Sequence, residues 1–275
     1  MARGLRWTLG VAAVALFAAP SGYASVTIGS DLTHTGNTSG TTCGTPPPYQ
    51  CTYSPAAIPG RMVTSPVNGV VTSWSARWQS GAQSARFQVL RPLGGTSALF
   101  VNSGSTQLNP PPGIGAFATS QPISIGDRIG IDDVNVYVYA QDPIPGAVLD
   151  VWVTQADGAT APAAGTVQHR ELLMNATIEP TTDFSFTTEA RKKGMATVTV
   201  SVPNPGTLSV TSGRTKIATA TANAPGDLVL NLRPTKKTRK KLQHKSKLKT
   251  ALHIAYAASF ATPITKSATL ELKAK

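Results

Sequence analysis

Before Lys192 the chain contains no lysine, and its 275 residues include only two cysteines and 14% charged side chains. Two thiols are too few for an all-cysteine zinc site or an iron–sulfur cluster. Motifs that announce chemistry are missing as well: there is no GxSxG, HExxH, Walker loop, GxGxxG or EF-hand loop. Enzymes and calcium sensors recognisable by such a local pattern are thereby removed. His34, His169, His244 and His253 are scattered along the chain, and no metal site is expected from them. The chain reads as a non-enzyme without a cofactor, although a triad assembled from distant segments is a spatial object that sequence spacing does not reveal.

Turn formers are plentiful, with 24 glycines and 21 prolines, and 41% hydrophobic residues suffice for packed cores. The apolar positions alternate with a period of two. Val70, Thr72, Trp74, Ala76 and Trp78 would share one face, followed by Ala85, Phe87 and Val89, by Val134, Val136 and Val138, and by Leu149, Val151 and Val153. Val198, Val200 and Val202 repeat the pattern, as do Leu228, Leu230 and Leu232, then Leu252, Ile254 and Tyr256, then Leu270 and Leu272. Asn68-Gly69, Gly94-Gly95, Gly126-Asp127, Asn204-Pro205-Gly206 and Pro225-Gly226 supply turns between them. Short strands so punctuated predict an all-β chain of two β-sandwich domains, the first jelly-roll-like or similar. One short helix is predicted over Lys236–His244, after Pro234.

Arg3 and Arg6 precede an apolar run from Trp7 to Ala19 and then Pro20-Ser21-Gly22-Tyr23-Ala24, the layout of a secretory signal peptide with cleavage expected after Ala24. The run is shorter than the ~20 residues a spanning helix needs, so an exported chain without a transmembrane segment is expected. In that compartment Cys43 and Cys51 are expected to form a disulfide, whose short loop would stabilise by about 2.6 kcal/mol on the chain-entropy account. Charge divides the chain: residues 25–175 carry a net −2, and residues 176–275 a net +12. So abrupt a change predicts two domains. The expected organisation is a signal at 1–24, a first sandwich at 25–156, a linker and closing segment at 157–180, and a second sandwich at 181–275. The linker would begin in Asp157 to Gly165, where small residues offer little to pack.

Two features could carry binding. If strands 134–140 and 147–153 pair symmetrically about the loop Gln141 to Gly146, the apolar set shares one side, and Asn135, Tyr137, Tyr139, Asp150 and Trp152 share the other. Rings beside an amide and a carboxylate would suit a sugar. The same rings would serve equally packed under a loop or against the second domain. The second feature is the basic run of Lys236, Lys237, Arg239, Lys240, Lys241, Lys245, Lys247 and Lys249, with only Leu242 and Leu248 dipping into the core. Its field would attract a cell-wall anionic polymer, or else serve solubility alone. Nucleic acid is not expected, because the chain is read as exported and no aromatics are interleaved for base stacking. Asp127, Asp132 and Asp133 could border a calcium ion at a strand end, but too few oxygen ligands cluster there and a polar turn is the simpler reading.

Three longer segments look familiar. Ser65-Pro-Val-Asn-Gly-Val-Val-Thr-Ser-Trp74, Gln88-Val-Leu-Arg-Pro92 and Ser124-Ile-Gly-Asp-Arg-Ile-Gly-Ile131 resemble a group of exported two-module proteins of high-GC Gram-positive soil bacteria. Glu171-Leu-Leu-Met-Asn-Ala-Thr-Ile-Glu-Pro180 resembles the segment that closes the first module in that group. Where many of those relatives continue into an Asp-rich calcium-binding repeat, this chain has Thr181-Thr182-Asp183. Val200–Leu208 and Pro234–Lys249 are similar to the strand pair and Lys-rich crossover of an immunoglobulin-like module there. The resemblance implies an extracellular protein with a C-terminal immunoglobulin-like sandwich, and it transfers no catalytic residue. A secreted or cell-surface interaction protein is the leading expectation. A lectin-like carbohydrate-binding module comes second and an exported hydrolase third.

Overall fold

The computed structural model describes residues 24–36, 50–79, 84–134 and 138–274. Residues 1–23 of the expected signal, Cys43, Asn135 and Tyr137 lie outside the described residues. Eleven strands form the first sandwich: β1 (Val26–Gly29), β2 (Gln50–Ala57), β3 (Gly69–Trp78), β4 (Ser84–Gly94), β5 (Ser97–Leu108), β6 (Gly113–Ile123), β7 (Arg128–Val134), β8 (Val148–Val153), β9 (Thr160–Pro162), β10 (Gly165–Gln168) and β11 (Met174–Pro180). One sheet runs β1-β11-β3-β6, and the other runs β10-β8-β2-β7-β4-β5-β9. Between them Trp74 sits 4.7 Å from the Phe117 ring, 6.0 Å from Phe87 and 6.3 Å from Trp78, centroid to centroid. Such aromatic clusters bury large apolar area and fix the spacing of the two sheets.

The alternation in β3 holds for Trp74, Ala76 and Trp78, which are buried, but not for Val70, which is exposed while Val71 is buried. A register shift against β11, where Val71 and Ser73 lie opposite the adjacent Ile178 and Thr177, inserts one residue into β3 and turns the face over, the signature of a β-bulge. Cys51 is buried in β2.

The domain boundary moves. Residues 157–165 are not a free linker: β9 pairs with β5, β10 pairs with β8, and β11 lies between β1 and β3. Ala161 and Ala163 pack against the buried cluster of Leu90, Ala98, Phe100 and Trp152, where little space is left for a larger side chain. The first sandwich therefore runs through Pro180.

Seven strands form the second sandwich: β12 (Ser185–Ala190), β13 (Ala196–Val202), β14 (Gly206–Ser212), β15 (Thr215–Ala222), β16 (Gly226–Leu232), β17 (Lys247–Ala258) and β18 (Ile264–Lys273). Their orders, β12-β13-β16 and β15-β14-β17-β18, make an immunoglobulin-like sandwich whose fourth strand lies beside the third instead of the fifth. Phe184, Val198, Val200, Leu208, Ile254 and Tyr256 fill its core. The predicted helix, α1 (Lys236–His244), bridges β16 to β17. Thr235 caps it by accepting a hydrogen bond from the Thr238 N–H. The Leu242 side chain is buried and Leu248 packs partly against the same core, as the spacing predicted.

The sandwiches meet through a pair of asparagines. Asn204, fully buried, accepts from the Asn68 N–H at 2.6 Å and donates to the carbonyls of Asn68 at 2.9 Å and Thr181 at 2.7 Å. The Asn68 amide donates to the Pro203 carbonyl at 2.8 Å, and its oxygen accepts from the Ile125 N–H at 3.0 Å.

Candidate functional site

The assumed hairpin does not form. β7 and β8 both pair with β2, which lies between them: Val134 is opposite Gln50, and Val153 is opposite Cys51. Ahead of β8, Tyr139 bridges to Leu172 and Ala140 to Gly36. Tyr139 and Trp152 are buried at 4% and 2% exposure, and so is Asp150 at 6%. Trp152 stands edge-on to Phe100 at 6.3 Å, while the Arg170 guanidinium lies 5.6 Å from the centre of the Tyr139 ring. Asp150 accepts from Arg128 at 2.9 Å and from the Thr166 hydroxyl at 2.8 Å. Asp150 and Trp152 are thus covered by β9, β10 and their connection, and Tyr139 is buried in the core between the sheets. The alternative, rings packed under a loop, describes Trp152.

A row of polar groups runs beside Trp152 on the outer face of the larger sheet. Arg86, Asp132 and Thr52 are cross-strand neighbours on β4, β7 and β2. Arg86 donates twice to Asp132, at 2.9 and 2.6 Å, and the Thr52 hydroxyl donates at 2.5 Å. Burial pushes the Asp132 carboxyl above its ordinary range, against the downward pull of Thr52 and Arg86. A raised folded-state pKa means the native chain holds this proton to higher pH than the unfolded chain does. Its stabilising share is fully present below the ordinary value of 3.8 and is lost as pH rises through the folded value. Replacing Asp132 by Asn removes that dependence. In urea melts from pH 3 to 7, the midpoint of the wild type relative to the variant is expected to fall as pH rises. A rise would show that the Arg86 pair outweighs burial.

The two describable carboxylates of the calcium reading do not converge. Asp127 is spent on Arg91, at 2.8 and 3.0 Å, and on the Ser124 N–H at 2.9 Å, whereas Asp132 faces Arg86. The side chain of Asp133 lies outside the described set. Among the described residues no three of His, Cys, Asp and Glu gather as metal ligands.

The two modules use their cations in opposite ways. Every arginine of the first sandwich is held internally. Arg61 meets Asp31, Arg86, Arg91 and Arg128 meet the aspartates named above, Arg77 donates to the Leu32 carbonyl at 2.8 Å, and Arg170 donates to the Ala140 and Gln141 carbonyls at 3.0 and 2.6 Å. In the second sandwich, among the described residues, only three cations meet carboxylates: Arg191 with Glu189, Lys247 with Glu271 and Lys266 with Asp183. Lys247 therefore leaves the free part of the basic run. Its ammonium hydrogen-bonds Glu271 at 2.9 Å, which lowers the carboxyl's pKa. Lys249 faces the same Glu271 across the strands, whereas Lys236, Lys237, Arg239, Lys240, Lys241 and Lys245 have no ion-pair carboxylate among the described residues.

Topology gathers further cations around them. Strands of this sandwich alternate in direction, so every second connection emerges at the same pole. That pole carries a 3-10 turn (Lys192–Gly194), the β14–β15 turn with Arg214, the α1 crossover preceded by Arg233, and the end of β18 at Lys273. The opposite connections, residues 203–205, 223–225 and 259–263, face the Asn204 junction and contain no Lys or Arg. The run in α1 is visible in the sequence, whereas Lys193 and Arg233 carry no local mark of joining it. Counting alternate turns after β12 would have found them.

No protein-family profile and no curated protein sequence matches the chain. Among solved structures it is similar to a GH2 β-galacturonidase from Eisenbergiella tayi bound to galacturonate, at 11% identity and a TM-score of 0.20 over 80% of this chain and 41% of that one. A GH2 β-galacturonidase from the same organism bound to glycerol gives 10% identity and a TM-score of 0.21, over 82% and 41%. The chain spans about two fifths of the length of either enzyme. Superposition at these scores carries no argument about activity. No helix among the described residues is long and apolar enough to cross a membrane.

Proposed function

We propose that the protein is a non-catalytic, exported interaction protein that associates with an anionic polymer of the cell envelope through the pole of its second sandwich. The observation that supports this is the contrast in pairing. The first sandwich holds every arginine on its own carboxylates or carbonyls, whereas the second leaves most of its cations without a carboxylate partner among the described residues and collects them at the end away from its partner module. Unpaired like charges repel one another and raise the local potential, an arrangement that favours a polyanion over self-association. The signal-like leader supports export, the compartment in which a Cys43–Cys51 disulfide is expected.

Sedimentation of the full chain with isolated envelopes tests the proposal. Retention is expected to fall steeply as salt shortens the screening length from ~10 Å at 0.1 M to ~3 Å at 1 M. It should also fall when Lys236, Lys237, Lys240 and Lys241 are changed together to Gln. Retention indifferent to both would overturn the reading.

A further inference from the structure

At the basic pole the 3-10 turn, the end of β16 and α1 enclose a groove of about 690 Å³, lined by Lys193, Met195, Arg233, Arg239, Leu242 and Gln243, with Pro234 and Ala274 at its margin. Three cations from two connections border it, Lys193 from the β12–β13 turn and Arg233 and Arg239 from the β16–β17 crossover, and none has a carboxylate partner among the described residues. Its wall is apolar where Met195, 42% exposed, stands beside Leu242. Close packing builds the shape. Gly194 has φ +71°, and a Cβ there would lie 2.5 Å from the Leu242 methyl, so α1 can seat against the turn only over a glycine. The preceding Lys193 is itself held in the left-handed region, at φ 62°, a conformation a lysine adopts only where its surroundings impose it.

We infer that this groove is a discrete seat for one phosphodiester unit of a carbon-linked polyphosphate-ester chain, an inference that rests on the envelope reading above. The two guanidiniums present planar forks suited to phosphate oxygens, and Lys193 adds a point charge. A phosphodiester offers two charged oxygens and two weaker ester oxygens, so three cationic groups find acceptors on it that the two oxygens of a carboxylate do not provide. Met195 and Leu242 match the carbon linker between phosphates, which an inorganic polyphosphate lacks. The lysines on the outer face of α1 supply only the diffuse field that brings the polymer in.

The test compares two full-length variants of equal charge. One changes Lys193, Arg233 and Arg239 to Gln, and the other changes Lys236, Lys237 and Lys240 to Gln. Affinity is measured at fixed salt for poly(glycerol phosphate), inorganic polyphosphate and polyglutamate, with thermal unfolding as a check of the fold. The groove variant is expected to bind poly(glycerol phosphate) about tenfold or more weaker, the loss of one charge-assisted contact set. The outer variant should lose about two- to threefold, as screened surface charges do. Met195→Ser, which alters no charge at an exposed position, should weaken poly(glycerol phosphate) and leave inorganic polyphosphate unchanged. Equal losses in the two charge variants would overturn the seat while leaving the diffuse envelope attraction standing. Equal loss for both phosphate polymers in Met195→Ser, or polyglutamate bound as tightly as the phosphate ester, would overturn the assigned ligand. Failure of the wild type to bind any of the three would overturn both this seat and the envelope reading.

Discussion

Asn204→Ala is expected to destabilise the chain by about 2–4 kcal/mol, several times the effect of removing an asparagine from an ordinary exposed turn. The substitution deletes an acceptor for the Asn68 N–H and two donors, to the carbonyls of Asn68 and Thr181. A polar group left unpartnered in a buried setting costs ~1–3 kcal/mol. The Asn68 carbonyl keeps its bond from the Thr181 N–H at 2.9 Å, so the damage falls on the Asn68 N–H and the Thr181 carbonyl. The loop itself stays anchored, because the Tyr256 hydroxyl donates at 2.6 Å to the backbone carbonyl of Asn204. The side chain's share is thereby isolated from a general loosening of the turn. Asn204→Asp should be no milder than Ala, since it keeps the acceptor but turns a carboxylate toward two carbonyls. Denaturant unfolding followed separately by signals from each sandwich gives the readout. The wild type should unfold the modules together, and the variant should separate the transitions. A loss below about 0.5 kcal/mol, the usual scale for a surface change, with unaltered cooperativity would show that the modules are independent.

That joint was the part of the molecule least legible in the sequence. Asn204 stands in Asn204-Pro205-Gly206, where a turn explains it completely, and nothing local says that its amide reaches another module. Strands were legible because a period of two is imposed by the backbone itself, as Val198, Val200 and Val202 or Leu252, Ile254 and Tyr256 demonstrate. Alternation reports which side a residue faces and not which strand lies beside it. The insertion of β2 between β7 and β8 therefore left Leu149 and Val151 in the core while undoing the hairpin. The bulge near Thr72 shows the second limit: one inserted residue reverses the face, and no residue type marks it. Composition misled at Ala161 and Ala163, because small residues suit a flexible linker and also suit the space above a tryptophan. The basic run was plain, whereas its convergence with Lys193 and Arg233 depends on which connections share a pole.

Trp152→Ala is expected to be the most costly single substitution on the outer face of the first sandwich, at about 3–5 kcal/mol, the range for deleting a buried large aromatic. Trp152 is 2% exposed, stands edge-on to Phe100, and is roofed by Ala161 and Ala163. Truncation removes the support for β9, so loss of order should spread to the β5–β9 edge before the central strands open. Trp152→Phe should be far milder, because the indole N–H is without a hydrogen-bond partner and the edge-to-face contact survives in part. The pair of variants also separates a packing role from a recognition role. A ring that stacks on sugar would lose polysaccharide retention in Trp152→Ala while the unfolding midpoint barely moved. A ring that roofs a sheet loses stability first, and any binding by the second sandwich persists for as long as the chain stays folded. Thermal unfolding and polysaccharide retention measured on the same preparations distinguish the two, and burial on both faces of β8 argues for the second.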